Sequence, residues 1–182
     1  MKVSKAQVQA NRAHIVETAS ALFRERGYEG VGVAELMAAA GFTHGGFYKH
    51  FGSKADLVAE ASACGLAQTR AMTEGLDRET FLAQYLSREH RDNPAEGCTL
   101  AALSSDAARQ PKAVKAVFAE GLEQMLQSLA NGAPDPQAQR SQRLGNIALL
   151  VGALALSRAC PDDSALADEI LAACRERLGL PG

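Results

Sequence analysis

Thr43, His44, Tyr48, Lys49, His50 and Lys54 crowd into one short stretch and carry hydroxyls, imidazoles and ammonium groups. Such groups pair with phosphate oxygens and base edges in nucleic-acid recognition. Lys49 suits a phosphate or a guanine edge, and His44 donates or accepts according to its tautomer. Tyr48 offers its hydroxyl to a phosphate. Lys54 does the same from the positive N-terminus of the following helix. Gly45 and Gly46 carry no side chain and permit close backbone approach. For His50, packing or capping competes evenly with a phosphate contact.

Thiol chemistry is the other possibility. Cys98 follows Gly97 where a helix is expected to begin, and a helix N-terminus favours the nucleophilic thiolate. His90 or Arg91 would assist only if the intervening loop folds back. A thiol enzyme would pair Cys98 with His90 or His14, but no oxyanion-hole loop, glycine-rich phosphate loop or carboxylate pair accompanies them. No enzyme is expected, and the plain alternative for Cys98 is a small buried hydrophobe. Cys64, Cys160 and Cys174 fit apolar faces. The four cysteines lie far apart without metal-ligand spacing, so free thiols are expected, with no metal and no cofactor.

The elements that position these groups follow from periodicity and punctuation. At 182 residues, with 5% aromatics and no tryptophan, no strand-like alternation persists, and an all-α protein of about nine helices is expected. Ile15, Ala19, Leu22 and Phe23 make one apolar stripe on a first helix from Lys5 to Arg26, which Gly27 ends. A second helix spans Val33–Ala40 and a third His44–His50. Gly41 serves as the left-handed turn residue and Thr43 as the N-cap. Ser53-Lys54-Ala55-Asp56 reads as a capping box opening a connecting helix to Thr73. Phe47 and Phe51 point inward and leave Thr43, His44, Gly45, Tyr48 and Lys49 outward. Further helices are expected over Arg78–Arg91 behind an Asp77 cap, from Cys98 or Thr99 to Arg109, Pro111–Ala130, Gln137–Ala159 and Ser164–Leu178. Asn131-Gly132 and Asp135-Pro136 provide a stop and a start.

Two short helices about a glycine turn are the helix-turn-helix, whose second helix enters the DNA major groove. The order Gly27-Tyr28, Val33, Leu36, Ala40-Gly41, Gly45, Phe47-Tyr48, His50-Phe51, Ser53-Lys54 and Leu57 resembles the DNA-binding domain of TetR family transcriptional regulators. That resemblance covers roughly residues 12–58. It implies a DNA-binding domain over 1–52, then a ligand-binding and dimerisation domain over 53–182. Two departures stand out. Val31-Gly32 replaces the family's hydroxyl residues before helix two, and Gly46 replaces another. Both changes remove hydroxyl contacts and imply weaker DNA affinity per subunit.

Charge agrees with modest DNA affinity. The net charge is −2, with +2 over residues 1–56 and −4 over the rest, so placement and dimerisation must supply affinity. Nothing resembles a signal peptide, and the apolar stretch 144–160 is too short to span a membrane. A soluble, cytoplasmic protein with no membrane partner is expected.

The resemblance further implies a homodimer through the last two helices. Leu144, Ile147, Val151 and Leu154 fall at helical spacing, beside a small-residue stripe of Gly145, Ala148, Gly152 and Ala155. Leu166, Ile170, Ala173 and Cys174 follow on the last helix. Phe81, Tyr85, Cys98, Leu100, Leu103, Phe118, Leu122 and Met125 are the expected lining of a pocket for an unknown small-molecule effector. Each would serve equally as ordinary core. Some TetR-type regulators sense electrophiles or oxidants through a cysteine, and Cys98 is the candidate here. The expected function is a repressor of double-stranded operator DNA, released by a small molecule or an electrophile. The alternative is a helical interaction protein of the same fold that has lost DNA binding.

Overall fold

The computed structural model describes residues 4–128 and 139–180. Among them are nine α-helices: α1 Lys5–Arg26, α2 Val33–Ala39, α3 Lys54–Ala71, α4 Arg78–Tyr85, α5 Arg88–Asp92, α6 Thr99–Ala107, α7 Lys112–Ser128, α8 Arg140–Arg158 and α9 Ala165–Arg177. Two 3-10 turns, His44–Lys49 and Pro94–Glu96, complete the set. No helix among the described residues is long and apolar enough to cross a membrane. The expected stop at Asn131-Gly132 and start at Asp135-Pro136 lie outside the described residues.

Local chemistry accounts for several helix ends. The Gln7 amide donates to Ser4 Oγ (3.2 Å) at the start of α1, and Gly27 at φ +73° closes it by donating to the Phe23 carbonyl (2.7 Å). Ser53 Oγ accepts from the Asp56 amide (3.1 Å), and Asp77 Oδ1 from the Thr80 amide (2.9 Å). Each such cap is worth about 1 kcal/mol against alanine.

Two expected helices differ. The single helix expected over Arg78–Arg91 is broken at Leu86-Ser87, because the Ser87 hydroxyl caps a new helix by accepting from the His90 amide (3.1 Å). The expected third α-helix is a 3-10 helix instead. Consecutive glycines at 45 and 46 each cost about 1 kcal/mol in an α-helix, and the segment winds more tightly.

Two apolar clusters organise the molecule. Ile15, Ala19, Phe23, Leu36, Met37, Phe47 and Phe51 pack with Leu57, Val58 and Ala61 of α3, and with Leu103 and Ala107 of α6. Full burial of such aliphatic and aromatic side chains contributes about 1.5–3 kcal/mol each. This cluster runs across residue 52, so the N-terminal helices share their core with α3 and α6. The second cluster joins Leu82, Tyr85, Leu86, Cys98 and Leu100 to Ile147, Leu150, Leu154 and Leu171.

Candidate nucleic-acid interface and internal cavity

The α2–turn–3-10 unit presents its polar groups outward. Thr43, His44, Gly45, Tyr48 and Lys49 are all exposed, and Tyr48 is 71% so. Phe47 and Phe51 are buried against α1 and α2, their rings 5.4 Å apart. At roughly 2 Å of rise per residue, this short helix still offers about 12 Å of length. Gly41 at φ +79° makes the turn that sets it against α2. The Thr43 hydroxyl makes no capping bond, contrary to expectation, and points to no partner within the helix. Gly32 likewise starts α2 without a side-chain cap, and Val31 is fully buried in the core.

Lys54 and His50 take structural positions. Lys54 Nζ donates to the Tyr28 carbonyl (2.6 Å), so it pins the α1–α2 connection to the start of α3. His50 packs beside Phe42 and Phe51, and its carbonyl accepts from Arg12 Nε (3.3 Å). Arg12, absent from the expected site, stacks 4.7 Å from the Phe51 ring centroid and pairs with Glu60 of α3. That ion pair raises the guanidinium's pKa. The apolar stripe drew attention away from Arg12, since a lone arginine early in a helix carries no motif of its own.

A cavity of about 600 Å³ lies between α3, α4, α5, α6, α7 and α8. Of the expected lining, Phe81, Tyr85, Cys98, Leu100 and Met125 are on its wall. Leu103, Phe118 and Leu122 are not: Leu103 belongs to the first cluster, and Phe118 and Leu122 pack as partly buried core. Ile147, Val151, Leu150, Met72, Thr69 and His90 line it instead.

His90 organises the cavity floor. The Cys98 amide donates to His90 Nε2 (3.0 Å), so Nδ1 carries the proton and donates to the Tyr85 carbonyl (2.7 Å). Burial is the main cause that lowers the His90 pKa, partly offset by its bond to Tyr85 and reinforced by Arg158. With both ring nitrogens engaged, His90 is no base for the Cys98 thiol, and His14 packs far along α1 against Phe42. The thiol–histidine pairing considered for an enzyme is therefore not assembled with His90. Cys98 is the N-cap residue of α6, 2% exposed, and all four cysteines are free. Burial pushes the thiols of Cys64 and Cys174 up.

Polar contacts tie this cavity wall to the N-terminal helices. Arg24, 6% exposed on α1, donates from Nε to the Ala95 carbonyl (2.7 Å), and from Nη1 to Ser20 Oγ (2.8 Å) and Gln68 Oε1 (3.1 Å). Gly65 of α3 makes room, for a Cβ there would stand 2.7 Å from Arg24 Nη1 and 2.5 Å from Thr99 Oγ1. Burial lowers the Arg24 pKa. At the far end of α6, Asp106 Oδ2 accepts from the Tyr28 amide (3.1 Å). The Tyr28 hydroxyl donates to Ser62 Oγ (2.7 Å), whose own proton goes to the Val58 carbonyl (2.6 Å). Burial pushes Tyr28 up to about 12. Only the Ser20–Arg24 spacing, polar residues one turn apart on the buried stripe, hinted at this network.

Helices α8 and α9 pack on one another, and their faces divide. Ile147 and Leu154, expected at a subunit interface, are buried within the chain, and Val151 is half-buried against the cavity. Outward-facing are Leu144, Gly145, Ala148, Ala155 and Leu156 on α8, and Leu166 and Ala173 on α9. Gly152, Ile170 and Cys174 are half-buried at the edge of that face. Leu156 at 61% and Leu166 at 54% exposure are the most exposed leucines among the described residues, and the small-residue pattern did not single out Leu156.

Comparison with known proteins matches this geometry. The sequence model described as bacterial regulatory proteins, tetR family, matches residues 15–61. The transcriptional regulator AcrR of Shigella flexneri is 39% identical over 57 residues, which cover 31% of this chain and 26% of that protein. The matched stretch thus spans about a quarter of that curated relative. The reduced form of Escherichia coli NemR superposes with a TM-score of 0.68 at 21% identity, covering 93% of this chain and 95% of that one. AibR, solved with isovaleryl coenzyme A and operator DNA, superposes at 0.52 with 19% identity, covering 93% and 96%. At these identities the structural likeness concerns the fold.

Proposed function

Because the chain is a member of the TetR family of bacterial regulatory proteins, we propose that it is a homodimeric repressor released from operator DNA by a small molecule. The observation that carries this reading is the exposed row Thr43, His44, Gly45, Tyr48 and Lys49 on the second helix of a helix-turn-helix. In it, Lys49 and Tyr48 meet phosphate or base edges, His44 reads by tautomer, and Gly45 lets the backbone approach. Lys54 and His50 act by holding that helix in place rather than by primary contact. The unit of DNA reading is residues 1–52, and 53–182 senses and dimerises.

One reader of this length is rarely sufficient, and two-fold symmetry supplies the second. The outward face of α8 and α9, centred on Leu156 and Leu166, is the surface for it.

Release follows from the contacts of α6. Cys98 and Leu100 at its start line the cavity, Ala95 just before it holds Arg24 of α1, and Asp106 near its end holds the Tyr28 amide. A ligand that displaces α6 moves both attachment points of the reader. It thereby favours a head spacing that the operator does not match, and the population shifts off DNA. AibR, with its bound coenzyme A ester and operator, supports the pairing of a small molecule with DNA on this fold.

Fluorescence anisotropy on DNA from upstream of the chain's own gene tests the reading. Lys49→Ala is expected to weaken operator binding about tenfold without lowering Tm, and to reduce the salt slope by about two per dimer. Unchanged affinity and slope would remove this helix from the DNA and favour the interaction-protein alternative.

The second trigger reading rests on Cys98 at the cavity wall. Cys98→Ser is expected to abolish any release caused by N-ethylmaleimide. A variant released as readily as the wild type would exclude the thiol as trigger.

A further inference from the structure

The cavity wall contains one polar group with nothing to do. The Tyr85 hydroxyl is buried with no hydrogen-bond partner, on a residue only 8% exposed. Its ring is fixed edge-on against His90, with centroids 4.7 Å apart, and beside Phe81 at 5.5 Å. Burial, with the neighbouring Cys98 thiol adding to it, holds the phenol well above the ordinary tyrosine pKa. It therefore stays protonated and is a donor in want of an acceptor, since a thiol accepts only weakly.

Around it the wall is apolar: Phe81, Leu100, Met125, Ile147, Leu150 and Val151. Among the described lining residues the only charged side chains are Glu89 and Glu96, both exposed at the rim. Arg158 lines the neighbouring polar cleft, and it donates from Nε and Nη2 to the Arg91 and His90 carbonyls (2.9 and 2.7 Å). The Arg158 charge reaches Tyr85 and His90 from that neighbouring cleft, and its Nη1 is buried without a hydrogen-bond partner. A carboxylate or phosphate in the cavity would still meet no cation among the described lining residues and would face an acidic rim. An ammonium would find carboxylates only in solvent. Either desolvation penalty amounts to several powers of ten in affinity when it is not compensated.

We propose that the cavity takes an uncharged, largely apolar molecule bearing one oxygen that accepts a hydrogen bond from Tyr85. The volume, about 600 Å³, suits a molecule of two fused or linked rings or an equivalent aliphatic chain. This deepens the effector reading above and rests on it. It narrows the effector to neutral ketones, esters, ethers and phenols rather than acyl anions or organic cations.

The test is calorimetric titration of the full chain and of Tyr85→Phe with four probes of one shape: biphenyl, 4-acetylbiphenyl, biphenyl-4-carboxylate and 4-(aminomethyl)biphenyl. The ketone is expected to bind tightest, with both charged probes at least about thirtyfold weaker. Tyr85→Phe is expected to weaken the ketone about fivefold and leave biphenyl unchanged. Since the hydroxyl has no partner to lose, Tyr85→Phe is also expected to keep or raise Tm, a result that a structural role would not produce. The proposal is overturned if either charged probe matches the ketone, if the substitution leaves the ketone unaffected, or if no probe binds. Operator binding of the ligand-free protein, measured on the same samples, decides the regulator reading separately. Loss of DNA binding with the probe order kept would overturn only that reading.

Discussion

Leu156→Glu is expected to convert the protein to a folded monomer and to reduce operator affinity by at least about a hundredfold. Leu156 is 61% exposed, so in an isolated chain the substitution removes little packing, and Tm measured on the monomer should change by only a few degrees. At a two-fold interface the same residue sits opposite its own copy or near it. Two carboxylates are then desolvated together without partners, which costs several kcal/mol in dimerisation. The flanking residues Gly145, Ala148, Gly152 and Ala155 are small and would hold the two α8 helices close, leaving no room for the charges to turn outward. On the proposed function, operator affinity is expected to fall with the dimer, because each monomer would carry a single short reading helix and the second half-site would no longer add to the first. Sedimentation velocity at micromolar concentration and anisotropy on the operator check both halves. A variant that stays dimeric and binds as well as the wild type would move the interface elsewhere. Ile147→Glu is a poor substitute, since Ile147 is 6% exposed and lines the cavity; it would damage the core first.

The second large effect concerns Arg91, which is 2% exposed in the chain. Its guanidinium donates from Nε to the Ser157 carbonyl (3.1 Å), and from Nη2 to the Cys160 and Pro161 carbonyls (3.3 and 3.4 Å). Nη1 meets Asp92 at 2.5 Å. These carbonyls close the C-terminal end of α8, where the last helical carbonyls lack intrahelical donors and the dipole is negative. Arg158 reciprocates from α8 by donating to the Arg91 carbonyl (2.9 Å), so α5 and α8 are joined from both sides. Arg91→Leu removes the donors of a buried guanidinium and leaves the Cys160 carbonyl without its partner, while the Ser157 and Pro161 carbonyls keep the Cys160 and Ser164 amides (3.2 and 3.0 Å). It is expected to cost about 2–3 kcal/mol, or roughly 5–10 °C in Tm. Arg91→Lys keeps the charge but not the planar fork, and should fall between the two. Urea unfolding measures this directly. A loss under about 1 kcal/mol for Arg91→Leu would mean that water reaches these carbonyls. Because α5 carries Glu89 and His90 on the cavity wall, the leucine variant should also bind the cavity probes more weakly.

The part of the molecule written in local signals was legible before any coordinates. The limits of α1, the Gly27 stop, the left-handed Gly41 turn, and the Ser53 and Asp77 caps each depend on residues within one or two turns of each other, and the structure places them as expected. The same locality made the helix-turn-helix readable, together with the outward row from Thr43 to Lys49, since a helix face follows from spacing alone. Where two local signals competed, the stronger one was harder to see: the Ser87 cap cut one expected helix in two, and paired glycines tightened another.

What local pattern could not decide was which side of α8 turns inward. Leu144, Ile147, Val151 and Leu154 share helical spacing with their neighbours, yet Ile147 and Leu154 are buried in the second apolar cluster while Leu156 stands in solvent. Periodicity defines an apolar face but not the surface it meets, and the stretch 147–156 of α8 is apolar all the way round. The role of Arg24, Arg91 and Asp106 was equally hidden, because each one bonds to a carbonyl or amide more than sixty residues away. Any backbone carbonyl is an equally good acceptor, so no side-chain pairing in the sequence marks such a contact. The sequence alone therefore determined a helix-turn-helix and the residues it exposes on its second helix. Only tertiary packing decided that α6 joins it to an apolar cavity, and that a lone tyrosine hydroxyl in that cavity is left without a partner.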